Sequence, residues 1–487
     1  MINFVNMKLK CLPVLVAILS LPVHGGIAAE KDATTRRPNV LFIAIDDLNL
    51  DLGCYGKSQM KTPHLDRLAG RGVKFDLVYA QYPLCNPSRV SMLTGLRPDT
   101  ARVHDLKTNF RTTVPHAVTL PQLFRQNGYF TARVGKIFHY GVPREIGTAG
   151  MDDPISWDVA INPIGRDKTE EEKLHVLTRG TGSTLGFAMA WLDMAGEDEE
   201  QTDGHGVAET IKLLEQAAKS DKPFFIGMGF YRPHTPFVAT KKWFDLYPKE
   251  RIKLPAVPAN DLEDIPPIAL HIRPQNYGLS ESDLRDCVRG YWASVSCLDD
   301  QVGQLLATLE RLKLSDNTIV VLFSDHGFLL GEHGQWQKQL LFDEAARVPL
   351  IIYAPGAKGN GNNCARPVEL LDVYPTLKTL CGLPNPPQVL EGRSLVPFLE
   401  APSAASERPA FCQVTRAAEK GKTIMGYSVR TEQWRFTEWG TDGKAGRELY
   451  DHRTDPQEFR NLAGDPAQAG TVKEMQKWIT SIQTPQN

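Results

Sequence analysis

Long apolar runs that stop abruptly in polar, chemically capable residues recur along this chain. "NVLFIAID" (39–46) is an unbroken apolar stretch that runs into Asp46 and Asp47. "KPFFIGMGFYRPH" ends on His234 and "NTIVVLFSDHG" on Asp325 and His326, while "YFTARVGKIFH", which carries Lys136 and His139, resumes as strand after a helix. Continuous rather than alternating apolarity predicts strands buried on both faces. "VPLIIYAPG" reads as a further strand of the same kind.

Between these runs the period changes. "TLPQLFRQNGY" predicts a short helix, with Thr119 as its cap, Pro121 in its first turn and Asn127-Gly128 as its stop. "SDLRDCVRGYWASVSCLDDQVGQLLATLERLKL" predicts a long amphipathic helix. Buried strands alternating with helices imply an α/β fold with a mostly parallel sheet covered on both faces. Ligands in such folds bind beyond the carboxyl ends of the strands, where the polar residues above gather. After about residue 380 the texture shifts. "PNPPQ" interrupts the pattern and "YSVRTEQWRFTEW" alternates like a hairpin. The expected division is a leader over 1–29, a catalytic domain over 36–380 and a smaller α+β C-terminal domain over 381–487.

Composition changes the picture in two places. The 487 residues carry 55 lysine plus arginine against 57 aspartate plus glutamate, a net charge of −2. That balance gives no general attraction to nucleic acid or an anionic membrane. The start of the chain is different: Lys8 and Lys10 precede the short apolar run "CLPVLVAILSLPV" and the small-residue stretch "HGGIAA". This is the pattern of a secretory signal peptide, too short for a membrane anchor. No asparagine lies in an Asn-X-Ser/Thr sequon with X other than proline, which favours a periplasmic or secreted protein over a lysosomal one. Of the eight cysteines, Cys11 leaves with the leader, and Cys54, Cys287, Cys297, Cys364, Cys381 and Cys412 could pair outside the cytoplasm without being needed for folding.

The candidate chemistry lies at the strand ends. Taken singly, Asp46-Asp47 and Asp325-His326 are ordinary turn residues. Taken together, three carboxylates and an imidazole at one sheet edge would repel unless a cation sits among them. Such an oxygen-rich set suits calcium or magnesium. Cys85 in "LCNPSRVSMLTG" stands at the start of a helix, where it is either a small apolar filler or raw material for something more reactive.

That segment resembles the signature of the type I sulfatases, Cys-X-Pro-Ser-Arg followed by a helix and Thr-Gly. Further blocks are similar to that family in family order: "RPNVLFIAIDDL", "GCYG", "TPHLDRLAGRGVKF", "GYFTARVGKIFH", "RPHTPF", "SDHGFLLGEHGQWQK" and "ELYDHRTDPQEFRNLA", spanning roughly residues 37 to 463. The resemblance implies an alkaline-phosphatase-like sandwich and a sulfuric ester hydrolase. It implies that a formylglycine-generating enzyme oxidises Cys85 to formylglycine, whose hydrate attacks sulfur and later expels sulfate. It implies calcium, in preference to magnesium, bound by Asp46, Asp47, Asp325, His326 and the residue made from Cys85. Arg89 would hold the formylglycine oxygen, Lys136 and Lys338 would contact sulfate, His139 would help the hemiacetal collapse and His234 would protonate the leaving alcohol.

His326, with "VGKIFHYG", "FYRPHTPF" and "EHGQWQK", most resembles the iduronate-2-sulfatases, implying a sulfated carbohydrate substrate with 2-O-sulfate on a uronic acid of glycosaminoglycan-type chains. Trp336 and the 384–391 loop are the suspects for contacts to the sugar carboxylate. A phosphonate or phosphate monoester hydrolase of the same superfold, a sulfatase for another sulfated polysaccharide and a silent carbohydrate-binding relative are the alternatives.

Overall fold

The computed structural model describes residues 37–178, 185–418 and 421–483. The leader read in 1–29 lies outside the described residues.

Eight strands form the central sheet: β1 Asn39–Asp46, β2 Val73–Tyr79, β3 Phe130–Gly135, β4 Val159–Ile161, β5 Phe224–Pro233, β6 Thr318–Ser324, β7 Arg347–Tyr353 and β8 Asn363–Glu369. Their spatial order is β8-β2-β7-β6-β1-β5-β3-β4. All are parallel except β7, which runs antiparallel to both β2 and β6. This is the alkaline-phosphatase-like α/β architecture expected from the sequence.

The apolar run of β1 is continuous because both of its faces are covered, and all eight of its residues are buried. Val40, Phe42 and Ala44 face a layer that includes α1 (Cys85–Thr94), α2 (Leu120–Gln126) and a helix over Val373–Leu380. Leu41, Ile43 and Ile45 face the opposite layer, built on α3 (Thr202–Ala217) and α4 (Glu281–Arg311). Each element starts for a local reason. Thr119 and Gln122 close a capping box on α2, and Ser280 accepts from the Asp283 amide at the head of α4.

A second sheet, of four antiparallel strands in sequence order, occupies the C-terminal part: β9 Ala410–Ala417, β10 Thr423–Arg430, β11 Trp434–Trp439 and β12 Gly446–Asp451. Phe411, Val429, Phe436 and Leu449 on one face pack against the terminal helix Ala469–Gln483. Cys412, Val414, Trp439 and Tyr450 on the other pack against Tyr79, Tyr82, Leu84 and Leu340 of the catalytic part. All seven described cysteines are free thiols. Among the described residues no helix is long and apolar enough to cross a membrane.

Glu458 joins the two parts. Its carboxylate accepts from the Asp343 amide at 3.1 Å, and pairs with Arg435 at 2.8 Å and His452 at 2.7 Å. Burial raises its pKa, but Arg435 and His452 outweigh that and hold it below the usual carboxylate range. Replacing it with alanine leaves the buried Arg435 unpaired, so Glu458→Ala is expected to cost about 3–5 kcal/mol in chemical denaturation. Because the folded pKa is depressed, this contribution is present above the unfolded value of about 4.3 and is lost as the pH falls below it.

Candidate active site

The register of the central sheet lines up the polar strand ends. Asp46 at the end of β1 lies opposite Pro233 of β5, one residue before His234. Ile45 lies opposite Ser324 of β6, one residue before Asp325. Gly135 at the end of β3 lies opposite Gly229. There the chain folds in so closely that a Cβ on Gly229 would fall 2.1 Å from the Lys136 carbonyl oxygen, and Gly135 adopts a φ of +70°. Two glycines therefore permit the turn that brings Lys136 over β1.

Asp47 is held in the left-handed region, φ 65°, which aspartate tolerates better than most residues. Its amide donates to Asp325 at 3.2 Å, the next amide to Ser324 Oγ at 2.8 Å, and the Tyr291 hydroxyl donates to its carbonyl at 2.8 Å. Lys338 arrives between two further left-handed residues, Gln337 and Gln339. The Gln339 amide donates to the Pro83 carbonyl at 2.9 Å, which ties this loop to the segment leading into Cys85

.

Cys85 opens α1. Leu84, in the capping position, offers no side-chain acceptor, so the first amides of the helix remain available to an anion. The Cys85 thiol stands where the oxygens of a formylglycine would sit. Its sulfur lies 3.3 Å from His326 Nε2 and 3.3 Å from Lys338 Nζ. Burial raises the thiol pKa, but Lys136, Lys338 and His326 together pull it well below its ordinary value.

Each carboxylate closes on a cation. Lys136 donates to Asp46 at 2.5 Å, Lys338 to Asp47 at 2.7 Å and Arg89 Nε to Asp325 at 2.8 Å. Arg89 also donates to the carbonyls of Lys136, at 2.5 Å, and Ile137, at 3.1 Å, so it fixes the turn that carries Lys136. Burial lowers the pKa of Lys338, yet Asp47 and Cys85 outweigh it and hold the lysine firmly charged.

The donor set fits a hard divalent cation. Oxygens of Asp46 and Asp47, the sulfur of Cys85 and an imidazole nitrogen of His326 all lie within 4.8 Å of one another, all buried. His326 Nδ1 is 2.9 Å from the Gly327 carbonyl, which it can engage only as a donor; that tautomer leaves Nε2 with its lone pair facing the cluster. Asp325 stands beside this group of four. One of its oxygens is 3.8 Å from His326 Nε2, while the other is taken by Arg89.

Every predicted site residue therefore converges on one place. His139 and His234, 6% and 4% exposed, are slightly less buried than the rest of the set. His139 Nδ1 has no partner among the described residues. His234 Nδ1 is 2.6 Å from the Thr235 carbonyl, so its Nε2, 3.7 Å from Asp47, is the nitrogen that faces the site.

Of the two sugar-contact suspects, one has its polar group committed elsewhere and the other docks away from the cluster. Trp336 is fully buried and its indole donates to Asn276 at 2.8 Å. The 384–391 loop docks at the far end of α1, where Gln388 donates to the Thr94 carbonyl and the Glu391 amide to that of Gly95, both at 2.9 Å. A ten-residue helix places that end about 15 Å from Cys85. Proximity in sequence to a site segment did not translate into proximity to the site. Sequence reasoning also missed Tyr291 and Ser324, which position Asp47. Both read as ordinary residues of a buried helix and strand, and only the hydrogen bonds reveal their part.

Comparison with known proteins agrees with this geometry. Residues 38–383 match the sulfatase family model, and residues 331–485 match the model of the N-sulphoglucosamine sulphohydrolase C-terminal region. The chain is 34% identical to iduronate 2-sulfatase of Mus musculus, covering 92% of this chain and 95% of that one. It is 31% identical to choline-sulfatase of Rhizobium meliloti, covering 89% and 84% respectively. The phosphonate monoester hydrolase of Agrobacterium radiobacter superposes with a TM-score of 0.75 at 24% identity, covering 92% of this chain and 95% of that one, which establishes the shared fold. With its family model spanning most of the chain and full-length relatives above 30% identity, the protein belongs to the sulfatase family and is a sulfuric ester hydrolase.

Proposed function

We propose that this sulfatase removes the 2-O-sulfate from iduronate or a related uronic acid of glycosaminoglycan-type chains, acting outside the cytoplasm. The likeness to iduronate 2-sulfatase, 34% identity across nearly the full length of both chains, carries the substrate reading. The arrangement of charge supports the reaction class, because a sulfate ester is an anion and needs cations held where they cannot drift.

Asp46, Asp47, His326 and the residue at position 85 would hold a divalent cation, with Asp325 at its edge. Their oxygen-rich set suits a hard cation, calcium or magnesium, and the resemblance to the family implies calcium. Bound there, the cation supplies Lewis-acid polarisation of the sulfate and a lowered pKa for the attacking hydroxyl. Formylglycine made from Cys85 would supply that hydroxyl through its hydrate, whose second hydroxyl would give sulfate a route out.

The remaining work belongs to this chain's own side chains. Lys136 closes on Asp46, and Lys338 on Asp47 and position 85, so both ammonium groups stand where a sulfate at position 85 can be held. Arg89 holds Asp325 and the 136–137 turn, which keeps Lys136 in register with position 85. His234 has Nδ1 committed to Thr235, so it passes a proton to the leaving alcohol through Nε2. His139 offers an imidazole nitrogen with no other partner, and burial lowers its pKa, which suits a base that takes a proton from the diol.

Kinetics on unsaturated disaccharides sulfated at single positions test the substrate. The 2-O-sulfated uronate is expected to turn over fastest; a preference for 6-O- or N-sulfate overturns the substrate reading. Comparable rates on a phosphonate monoester would reassign the reaction.

Peptide mass spectrometry of active enzyme from its natural host is expected to find residue 85 about 18 Da lighter than cysteine. Cys85→Ser is expected to react once and stay sulfated, since it lacks the second hydroxyl. Unmodified thiol in fully active enzyme excludes the nucleophile proposed here.

For the cation, Asp46→Asn is expected to lower bound calcium, measured by elemental analysis, and to reduce kcat/KM at least roughly tenfold. Full activity after exhaustive chelation, with no metal retained, contradicts this assignment.

A further inference from the structure

Arg416 is a buried cation without a counter-ion. It lies on β9, is 8% exposed, and forms no ion pair among the described residues. Its guanidinium reaches only carbonyl oxygens, those of Thr415 at 3.2 Å and Ala269 at 3.4 Å, and its Nε has no partner. It rests over the Trp439 ring, 5.2 Å from the centroid. Among the other buried arginines, Arg89, Arg133, Arg232 and Arg435 each close on a buried carboxylate, while Arg430, like Arg416, reaches only a backbone carbonyl, that of Thr431. Holding a charge out of water without an anion is costly, and burial accordingly lowers the Arg416 pKa to about 10.

Its position gives that cost a purpose. Thr415, next to it in β9, is bound on both its amide and its hydroxyl by Tyr82, at 2.8 and 2.7 Å, three residues before Cys85. Ala269, which accepts from Arg416, leads into His271 and Ile272, whose amides both donate to Gln335, at 3.0 and 2.7 Å, three residues before Lys338. The two site segments are themselves joined, Gln339 amide to Pro83 carbonyl. Arg416 is thus set into the wall made by the two segments that deliver the nucleophile and one of the sulfate-clamping lysines.

We propose that Arg416 is a specificity-determining residue that receives the carboxylate of an acidic sugar while the sulfate of the same ring is held by Lys136 and Lys338. The inference rests on the uronic acid reading above and deepens it by naming the group that recognises the acid. A guanidinium suits the task because its planar edge matches a carboxylate in a way an ammonium does not.

The test compares kcat/KM on an unsaturated 2-O-sulfated uronate disaccharide with that on the same disaccharide whose carboxyl is reduced to hydroxymethyl. Wild-type enzyme is expected to prefer the acid. Arg416→Gln is expected to collapse that preference by roughly 10- to 100-fold, the loss falling chiefly on KM. Arg416→Lys, which keeps the charge and guards against a misfolded glutamine variant, is expected to retain part of it. A proportional loss on both substrates in either variant means a structural role and overturns the proposal, as does an unchanged preference. The two readings fail separately. Wild-type preference for 6-O- or N-sulfate removes the 2-O assignment, while a carboxylate preference that still depends on residue 416 keeps Arg416 as the acid receptor.

Discussion

Asp46, Asp47 and Asp325 lie at the carboxyl ends of two adjacent strands, each at most 1% exposed, and each is closed by a different cation. Carboxylates so deeply buried and so close together cannot all stay ionised unless positive charge is built in around them. Lys136, Lys338 and Arg89 provide it, and they come from three separate parts of the chain. Meeting that demand fixes much else: the glycine pair at 135 and 229, the left-handed residues at 47, 337 and 339, and the commitment of Arg89 to the 136–137 turn. The same charges that make the cluster affordable in a dry interior are the ones an anionic ester requires.

The C-terminal sheet is part of this arrangement rather than an appendage. One of its faces buries its own helix, and the other buries Tyr79, Tyr82 and Leu84 just ahead of the nucleophile. Glu458 pins it to Asp343 of the catalytic part, and Tyr82, three residues ahead of Cys85, holds Thr415 of its first strand.

Strands in the centre of the sheet were legible because burial on both faces leaves an unmistakable apolar run; β1, β5, β6 and β7 all show it, while Thr131 and Arg133 make β3 alternate. Strands nearer the margins of the sheet were not. In β2 the apolar positions alternate with Lys74 and Asp76, and β4 has only three residues. The direction of β7 was equally hidden, since an apolar run reads the same either way along the sheet. The site residues were legible for a different reason: chemistry-bearing groups stand at strand ends, and the block around Cys85 is distinctive. Their positioning partners were not, because Tyr291 and Ser324 are unremarkable in sequence and act only through hydrogen bonds to a backbone made distant by the chain.

By itself the sequence determined the covered parallel sheet, the gathering of Asp46, Lys136, His234 and Asp325 at its edge, and the start of a helix at Cys85. Those follow from local periodicity and from the rule that parallel strands expose their carboxyl ends together. Tertiary structure alone decided which cation serves which carboxylate, that the Trp336 indole is committed to Asn276 and the 384–391 loop to the far end of α1, and where Arg416 comes to rest. Those depend on strand register and on contacts between residues hundreds of positions apart, as between Tyr82 and Thr415, and no local pattern encodes such distances.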